Sequence, residues 1–165
     1  MRIVAITCVK NESDIVEAFV RHTLAFCDRL VVLENASSDE TPAILAALEE
    51  EGLALEIVED PSPGYYQSQR MTRLMREFAA EKHAADWVLP LDADEFILAE
   101  PDALRGMLDA AEGVASVAWR TYVPDESNDP DELNPALRIR HRLEKEARPW
   151  TKVLVPGGLS KKDGV

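Results

Sequence analysis

Two cysteines among 165 residues are too few for a disulfide framework. Cys8 and Cys27 both lie in apolar surroundings, where reduced, buried thiols are expected. No apolar stretch approaches the ~20 residues that a membrane-spanning helix needs. Met1-Arg2 runs directly into a strand-like segment, without the pattern of a signal peptide. A soluble, cytoplasmic chain with no transmembrane segment is the expectation. Basic residues are also scarce: 18 Lys and Arg face 31 Asp and Glu, a net charge of −13. A general nucleic-acid binder neutralises phosphates with a basic surface, so no nucleic-acid partner is expected. A small phosphate ligand stays open, because local field and a metal matter more there than total charge. His22, His83 and His141 stand apart and have no zinc-site spacing. There is neither a Walker A loop nor a G-x-G-x-x-G turn after a strand, which leaves P-loop and nicotinamide readings unsupported.

What is present is a globular composition, 46% hydrophobic and 30% charged. The length suits one domain that buries roughly two-thirds of its unfolded surface. Residues 2–9 (RIVAITCV) read as a first strand, and residues 12–26 as a helix with Ile15, Val16, Phe19, Val20 and Leu24 at helical spacing. Residues 30–33 form a second strand. A helix over 42–51 follows, with Thr41 as N-cap, Pro42 at its first position and Gly52 closing it. Residues 53–58 are a third strand, Pro61-Ser62-Pro63-Gly64 a loop, 68–82 a long helix and 87–91 a fourth strand. Beyond lie a short helix (102–111), a strand (114–123), an acidic loop (124–135) and strands near 138–142 and 152–155. The stretch from Gly157 to Gly164 reads as a loop or frayed tail. Strand and helix alternate through the first ~100 residues, so the fold class is α/β, with right-handed βαβ units and a Rossmann-type, mainly parallel sheet flanked by helices.

The fourth strand ends in the most informative segment, Trp87-Val88-Leu89-Pro90-Leu91-Asp92-Ala93-Asp94-Glu95-Phe96-Ile97. A sheet core does not tolerate unpaired carboxylates, so Asp92, Asp94 and Glu95 should emerge where the strand leaves it. In an extended backbone Asp92 and Asp94 project to the same side. Two hard oxygen ligands held together there suit Mg²⁺ or Mn²⁺ beside a substrate phosphate. Ligands of open α/β sheets bind outside the carboxyl ends of the strands. The polar groups Lys10-Asn11-Glu12, Glu34 to Thr41, and Asp60 with its loop all belong on that same rim. Helix capping accounts for any one of these groups by itself, Asp39 and Thr41 above all; four together point to a site.

The ordered set Val9-Lys10-Asn11-Glu12, Leu33-Glu34-Asn35-Ala36-Ser37-Ser38-Asp39-Glu40-Thr41 and Leu91-Asp92-Ala93-Asp94-Glu95-Phe96 resembles the family-2-type glycosyltransferases of GT-A fold. The nearest subgroup has a VKNE opening and a D-x-D-E-F motif. The resemblance covers residues 3 to about 98, and continues loosely through Val117-Ala118-Trp119-Arg120 and Trp150-Thr151-Lys152-Val153. It implies a nucleotide-diphosphate sugar as donor, an unknown glycan or other acceptor, and Mn²⁺ or Mg²⁺ as cofactor. Asn11 and Glu12 would lie at the nucleoside end, with Asn35 and Asp39 in base and ribose recognition. Asp92 and Asp94 would bind the metal, Asp92 also reaching the donor. Glu34 stands where the family commonly has Asp, and Ala36 where it commonly has Gly, a residue far more tolerant of positive φ.

Arg70, opening the helix before the metal motif, is a candidate phosphate or sugar contact. Arg73 and Arg76 read as a solvated face. Arg138, Arg140 and Arg142 read as one strand face, with salt bridging their main role. Core packing is the stronger reading for Trp119 and Trp150, while Tyr65-Tyr66 beside Gly64 is expected near a site. An inverting transfer needs a carboxylate base, and the acidic loop (Asp125, Glu126, Asp129, Asp131, Glu132) is a source of one; the catalytic base stays unassigned. Many GT-A enzymes take a further metal ligand, often His, from a C-terminal segment. None is evident here, so residues 1–165 are read as one GT-A-like nucleotide-sugar-binding domain and as the N-terminal part of something longer. A non-catalytic nucleotide-sugar-binding module and a metal-dependent phosphohydrolase or nucleotidyltransferase are the rival readings.

Overall fold

The computed structural model describes residues 1–62, 64 and 66–160, so the expectations for Pro63, Tyr65 and residues 161–165 lie outside it. Strand β1 (Ile3–Val9) is buried along nearly its whole length, as a parallel strand covered on both faces must be. It pairs in parallel with β2 (Arg29–Glu34) on one side and β4 (Trp87–Pro90) on the other; β2 pairs in parallel with β3 (Leu55–Glu59). The six-stranded sheet is completed by β8 (Thr151–Pro156), antiparallel to β4, and β5 (Ala115–Ala118), antiparallel to β8. A separate hairpin pairs β6 (Tyr122–Val123) with β7 (His141–Arg142). The order β3-β2-β1-β4 reverses direction at β1, and such a switch point opens a crevice at the strands' carboxyl ends.

Alternation along β1 sends side chains to two cores. Ile3, Ala5 and Val9 pack with Phe19 and Val20 of α1 (Val16–Leu24), Leu45 and Leu48 of α2 (Thr41–Glu50), and Leu104 and Leu108 of α4 (Pro101–Asp109). Val4 and Ile6 face the opposite way, onto Leu74 and Ala79. These belong to a helix that begins as α3 (Gln67–Arg73) and widens into a π-helical stretch over Leu74–Lys82. The regular helix expected over 68–82 is therefore corrected. Its end is wide, with His83 N–H donating to Phe78 O and Ala85 N–H to Ala79 O, both at 2.9 Å.

Three further expectations are corrected. The strand expected over 114–123 is broken between β5 and β6, because Glu146 takes the Thr121 N–H (2.7 Å) and hydroxyl (2.8 Å). Residues 135–138 turn helically as α5 (Pro135–Arg138), with Pro135 at its first position and Asn134 Oδ1 accepting from Ala136 N–H at 2.9 Å. Arg138, Arg140 and Arg142 thus do not share a strand face. The chain from Gly157 to Ser160 forms a helical turn, α6, rather than a loose tail. Gly157 donates to Asp86 O at 2.8 Å, and a Cβ there would sit 1.8 Å from Ala85 O. Only glycine permits that approach. Both cysteines are free as expected, Cys27 buried and Cys8 partly so. No helix among the described residues is long and apolar enough to cross a membrane.

Candidate functional site

The loops after β1 and β2 are stitched together by side chains that the sequence marks as binding residues. Asn11 adopts φ +58°, which Asn tolerates better than most residues. Its backbone N–H donates to Ser37 Oγ (2.9 Å), and its Oδ1 accepts from Ser38 N–H (2.8 Å). Asp39 accepts from Ser13 N–H (3.1 Å) and Thr41 N–H (3.0 Å). Burial opposes its charge, yet the bonds from Thr41 and Ser13 prevail and lower its pKa to about 2. Thr41 Oγ1 accepts from Glu12 N–H at 2.8 Å. Thr41, expected to cap α2, is instead its first residue and serves the turn that opens α1, while Asp39 accepts the first N–H of α2. That turn, closed by Ile15 and Val16 N–H donating to Glu12 O, explains why α1 starts later than its apolar spacing predicts.

Ala36 holds φ +49° despite its Cβ. Glu34, buried at the end of β2, accepts from both Ala36 N–H (3.1 Å) and Ser37 N–H (2.6 Å). These two bonds fix the loop in a conformation that glycine would otherwise be needed to supply. The backbone at Ala36 is therefore held by the Glu34 carboxylate.

A second stitch ties the loop after β3. Asn35 is buried, and its Nδ2 donates to Asp60 O (2.8 Å) and Ser62 O (2.9 Å). Arg70 is also buried, at 7% exposure. Its Nε donates to Asp60 Oδ2 and its Nη2 to Ser62 O, both at 2.7 Å, and its guanidinium lies 5.9 Å from the exposed Tyr66 ring's centre. Arg70, then Ser62, draw the Asp60 pKa down to about 2. Asn35 and Arg70 hold the loop in shape. Cys8 lies within this field: burial pushes its thiol up to about 11, with Arg70 opposing and Asp92 and Asp60 adding.

The Asp92–Glu95 segment is a turn, not a continuation of β4. Glu95 N–H donates to Asp92 O at 3.0 Å, so the two-residue alternation expected of Asp92 and Asp94 does not apply. Ala93 is buried, Asp94 exposed. Glu95 folds back, its Oε2 accepting from Asp92 N–H at 2.9 Å. Burial raises the Glu95 pKa, against Lys152. Asp92 Oδ1 accepts from Gln67 Nε2 (3.2 Å) and its Oδ2 from Lys152 Nζ (3.2 Å). Burial first, then the charges of Asp94, Asp14 and Asp39, raise the Glu12 pKa. All four polar groups thus converge on one rim.

Phe96 and Ile97 explain why an apolar pair follows the carboxylates. Phe96 meets Phe19 edge-on (6.4 Å between ring centres) and His22 (5.2 Å), and the His22 Nε2 contacts Ile97 O at 2.9 Å. Helix α1 is thereby the anvil on which the turn rests. Phe96→Ala is expected to cost about 2 kcal/mol, below the full core range because the ring is only partly buried. Calorimetry should read this as a Tm drop of about 6 °C.

Asp92 and Asp94 suit Mg²⁺ or Mn²⁺ chemically: one or two carboxylates, open to solvent, are what such ions use when a phosphate and waters complete the shell. No group of three or more His, Cys, Asp or Glu among the described residues is arranged to hold an ion unaided. Sequence reasoning missed Gln67 and the role of Lys152, and did not see that Glu95 braces the turn. Trp119 is half-buried with the Lys152 ammonium 5.9 Å from its ring centre, and Trp150 is exposed beneath Arg148. The core role expected for Trp150 is corrected. In the acidic loop, the Ser127 hydroxyl lowers the Asp125 pKa in spite of burial, and Asp125 pairs with His141.

Among solved structures, the chain resembles the mannosyltransferase PcManGT from Pyrobaculum calidifontis in complex with GDP-Man and Mn²⁺, with 25% identity and TM-score 0.54 over 70% of this chain and 34% of that one. It also resembles S. aureus TarS 1–349, with 15% identity and TM-score 0.56 over 98% of this chain and 48% of that one. The same TarS segment in complex with UDP gives 19% identity and TM-score 0.52, over 69% and 34%. The chain spans about a third to a half of these proteins' length. No curated protein matches it. The sequence model of glycosyl transferase family 2 matches residues 4–160, nearly the whole chain, and the chain belongs to that family.

Proposed function

We propose that residues 1–165 form the donor-binding domain of a glycosyltransferase that moves a hexosyl or related group from a nucleotide-diphosphate sugar to a glycan or other acceptor, with inversion. The observation that carries this is the Asp92–Glu95 turn at the carboxyl end of β4, beside the β1/β4 switch point, with the Asp94 charge helping to raise the Glu12 pKa. Family membership supports the reaction class. The PcManGT complex with GDP-Man and Mn²⁺ supports the donor class and the metal. In this reading Asn11, Glu12, Asn35 and Asp39 border the nucleoside, Arg70 supports the donor loop, and Asp92 and Asp94 face the diphosphate.

Transfer forms a bond from an acceptor hydroxyl oxygen to the anomeric carbon. The bond from that carbon to the diphosphate oxygen breaks, the nucleoside diphosphate leaves, and the hydroxyl proton passes to a carboxylate base. Asp92 and Asp94 would hold a divalent ion, which would supply charge neutralisation to the leaving diphosphate. The chain's own net charge of −13 repels such a ligand, which makes a local cation at the rim more important.

Thermal melts against a panel of nucleoside diphosphates and nucleotide sugars, with and without Mn²⁺, test the reading. A ligand at ~100 times its Kd should stabilise by about 2.7 kcal/mol, visible as a shift of several degrees. One base preferred, and only with metal, is the expected result. Release of phosphate or pyrophosphate instead of a nucleoside diphosphate would point to hydrolysis or nucleotidyl transfer and sink the proposal.

A further inference from the structure

The carboxylates of the metal turn already carry a cation supplied by the chain. Lys152 reaches across from β8, 60 residues away in sequence, and its Nζ lies 3.2 Å from Asp92 Oδ2 and 2.6 Å from Glu95 Oε2. The Lys152 side chain is only 23% exposed and that of Glu95 11%. Strand pairing fixes the origin of this arm: Lys152 faces Val117 on β5, while Val155 faces Val88 on β4. The pair is therefore part of the sheet's geometry and not a chance surface contact. Glu95 gives the ammonium a second anchor that Asp92 lacks. Its Oε2 holds both Lys152 and the Asp92 N–H, and its Oε1 is buried without a hydrogen-bond partner.

Resting on the metal reading above, we propose that Lys152 is a built-in counter-ion that competes with the divalent metal for Asp92 and so makes metal binding depend on the donor. The Asp92 carboxylate that would hold an ion receives the ammonium on its Oδ2. An ion there and an ammonium within hydrogen-bonding distance of the same carboxylate repel one another. Without donor, Lys152 neutralises the turn and holds Asp92. With a diphosphate present, the added negative charge tips the balance toward the metal, and Lys152 retreats onto Glu95, the nearer of its two partners. Lysine is suited to this exchange, because its ammonium is a point charge on a flexible stem and not a planar, two-pronged clamp.

The test is Mn²⁺ affinity, read from the electron paramagnetic resonance of free Mn²⁺, without any turnover. Lys152→Met, checked for folding by circular dichroism, is expected to bind Mn²⁺ about tenfold more tightly than the parent in the absence of nucleotide. The further gain on adding GDP or UDP should shrink correspondingly, since coupling between two ligands is reciprocal. Lys152→Arg, which keeps the charge but grips carboxylates as a two-pronged clamp, should bind Mn²⁺ no more tightly than the parent without nucleotide. Unchanged or weaker Mn²⁺ binding by Lys152→Met overturns the inference and leaves the metal reading intact. Absence of Mn²⁺ binding from parent and variants alike, with or without nucleotide, overturns both.

Discussion

Asp94→Ala is expected to lower the transfer rate by at least about 100-fold, roughly 2.7 kcal/mol of transition-state stabilisation, and to remove the Mn²⁺-dependent gain in Tm on nucleotide binding. The unliganded variant should melt within about 2 °C of the parent. Asp94 is exposed, so its loss leaves no cavity. Its charge is also one of those that raise the Glu12 pKa; removing it relieves a repulsion and weighs against any destabilisation. Asp92 is a poorer probe of the same idea, being tied to Gln67 and Lys152, so that Asp92→Asn alters structure and ligation together. Full metal-dependent transfer by Asp94→Ala would remove it from the ligand set. A melting temperature lowered by many degrees would mean that Asp94 acts on the fold.

The parallel half of the sheet was legible because its information is local. The run Ile3–Val9 is apolar on both faces, as a doubly covered strand must be, and Pro42 marks the start of α2 within a residue. The placement of polar groups on one rim followed from topology alone. What local reasoning could not deliver were partners. Thr41 has the chemistry of a cap, but only the fold decides that it caps the segment at Glu12, 29 residues earlier. Ala36 reads as a defect until Glu34 is seen holding both N–H groups. The alternation assumed for Asp92 and Asp94 failed because Glu95 turns the chain, and a turn of this kind carries no periodicity to detect. Lys152 is the extreme case, since β8 runs antiparallel to β4 and nothing near residue 92 announces it.

Arg70 separates a donor contact from a scaffold, and the unliganded protein can decide between them. Arg70→Met is expected to lose on the order of 10 °C in Tm, because removing one partner of a buried pair strands the other. Asp60 would keep only the Ser62 N–H and the Ser62 carbonyl only Asn35 Nδ2, each losing its bond from the guanidinium. The effect carries a pH signature. The Asp60 pKa lies at about 2 in the folded chain, lowered by Arg70 and then Ser62, against about 3.9 in an unfolded one. A lowered carboxyl pKa stabilises above the unfolded value, and that contribution is lost as pH falls through the folded value. The parent should therefore lose stability between about pH 4 and pH 2. Arg70→Met should lose less over that window, since Asp60 would titrate nearer its ordinary range in both states. Asp39 keeps its own acid limb in both proteins, because the bonds from Thr41 and Ser13 do not involve Arg70. Melts at pH 7, 4 and 2.5 would show the two contributions apart. A variant with parental Tm and an unchanged acid limb, but weakened nucleotide binding, would make Arg70 a donor contact that the loop merely parks on Asp60.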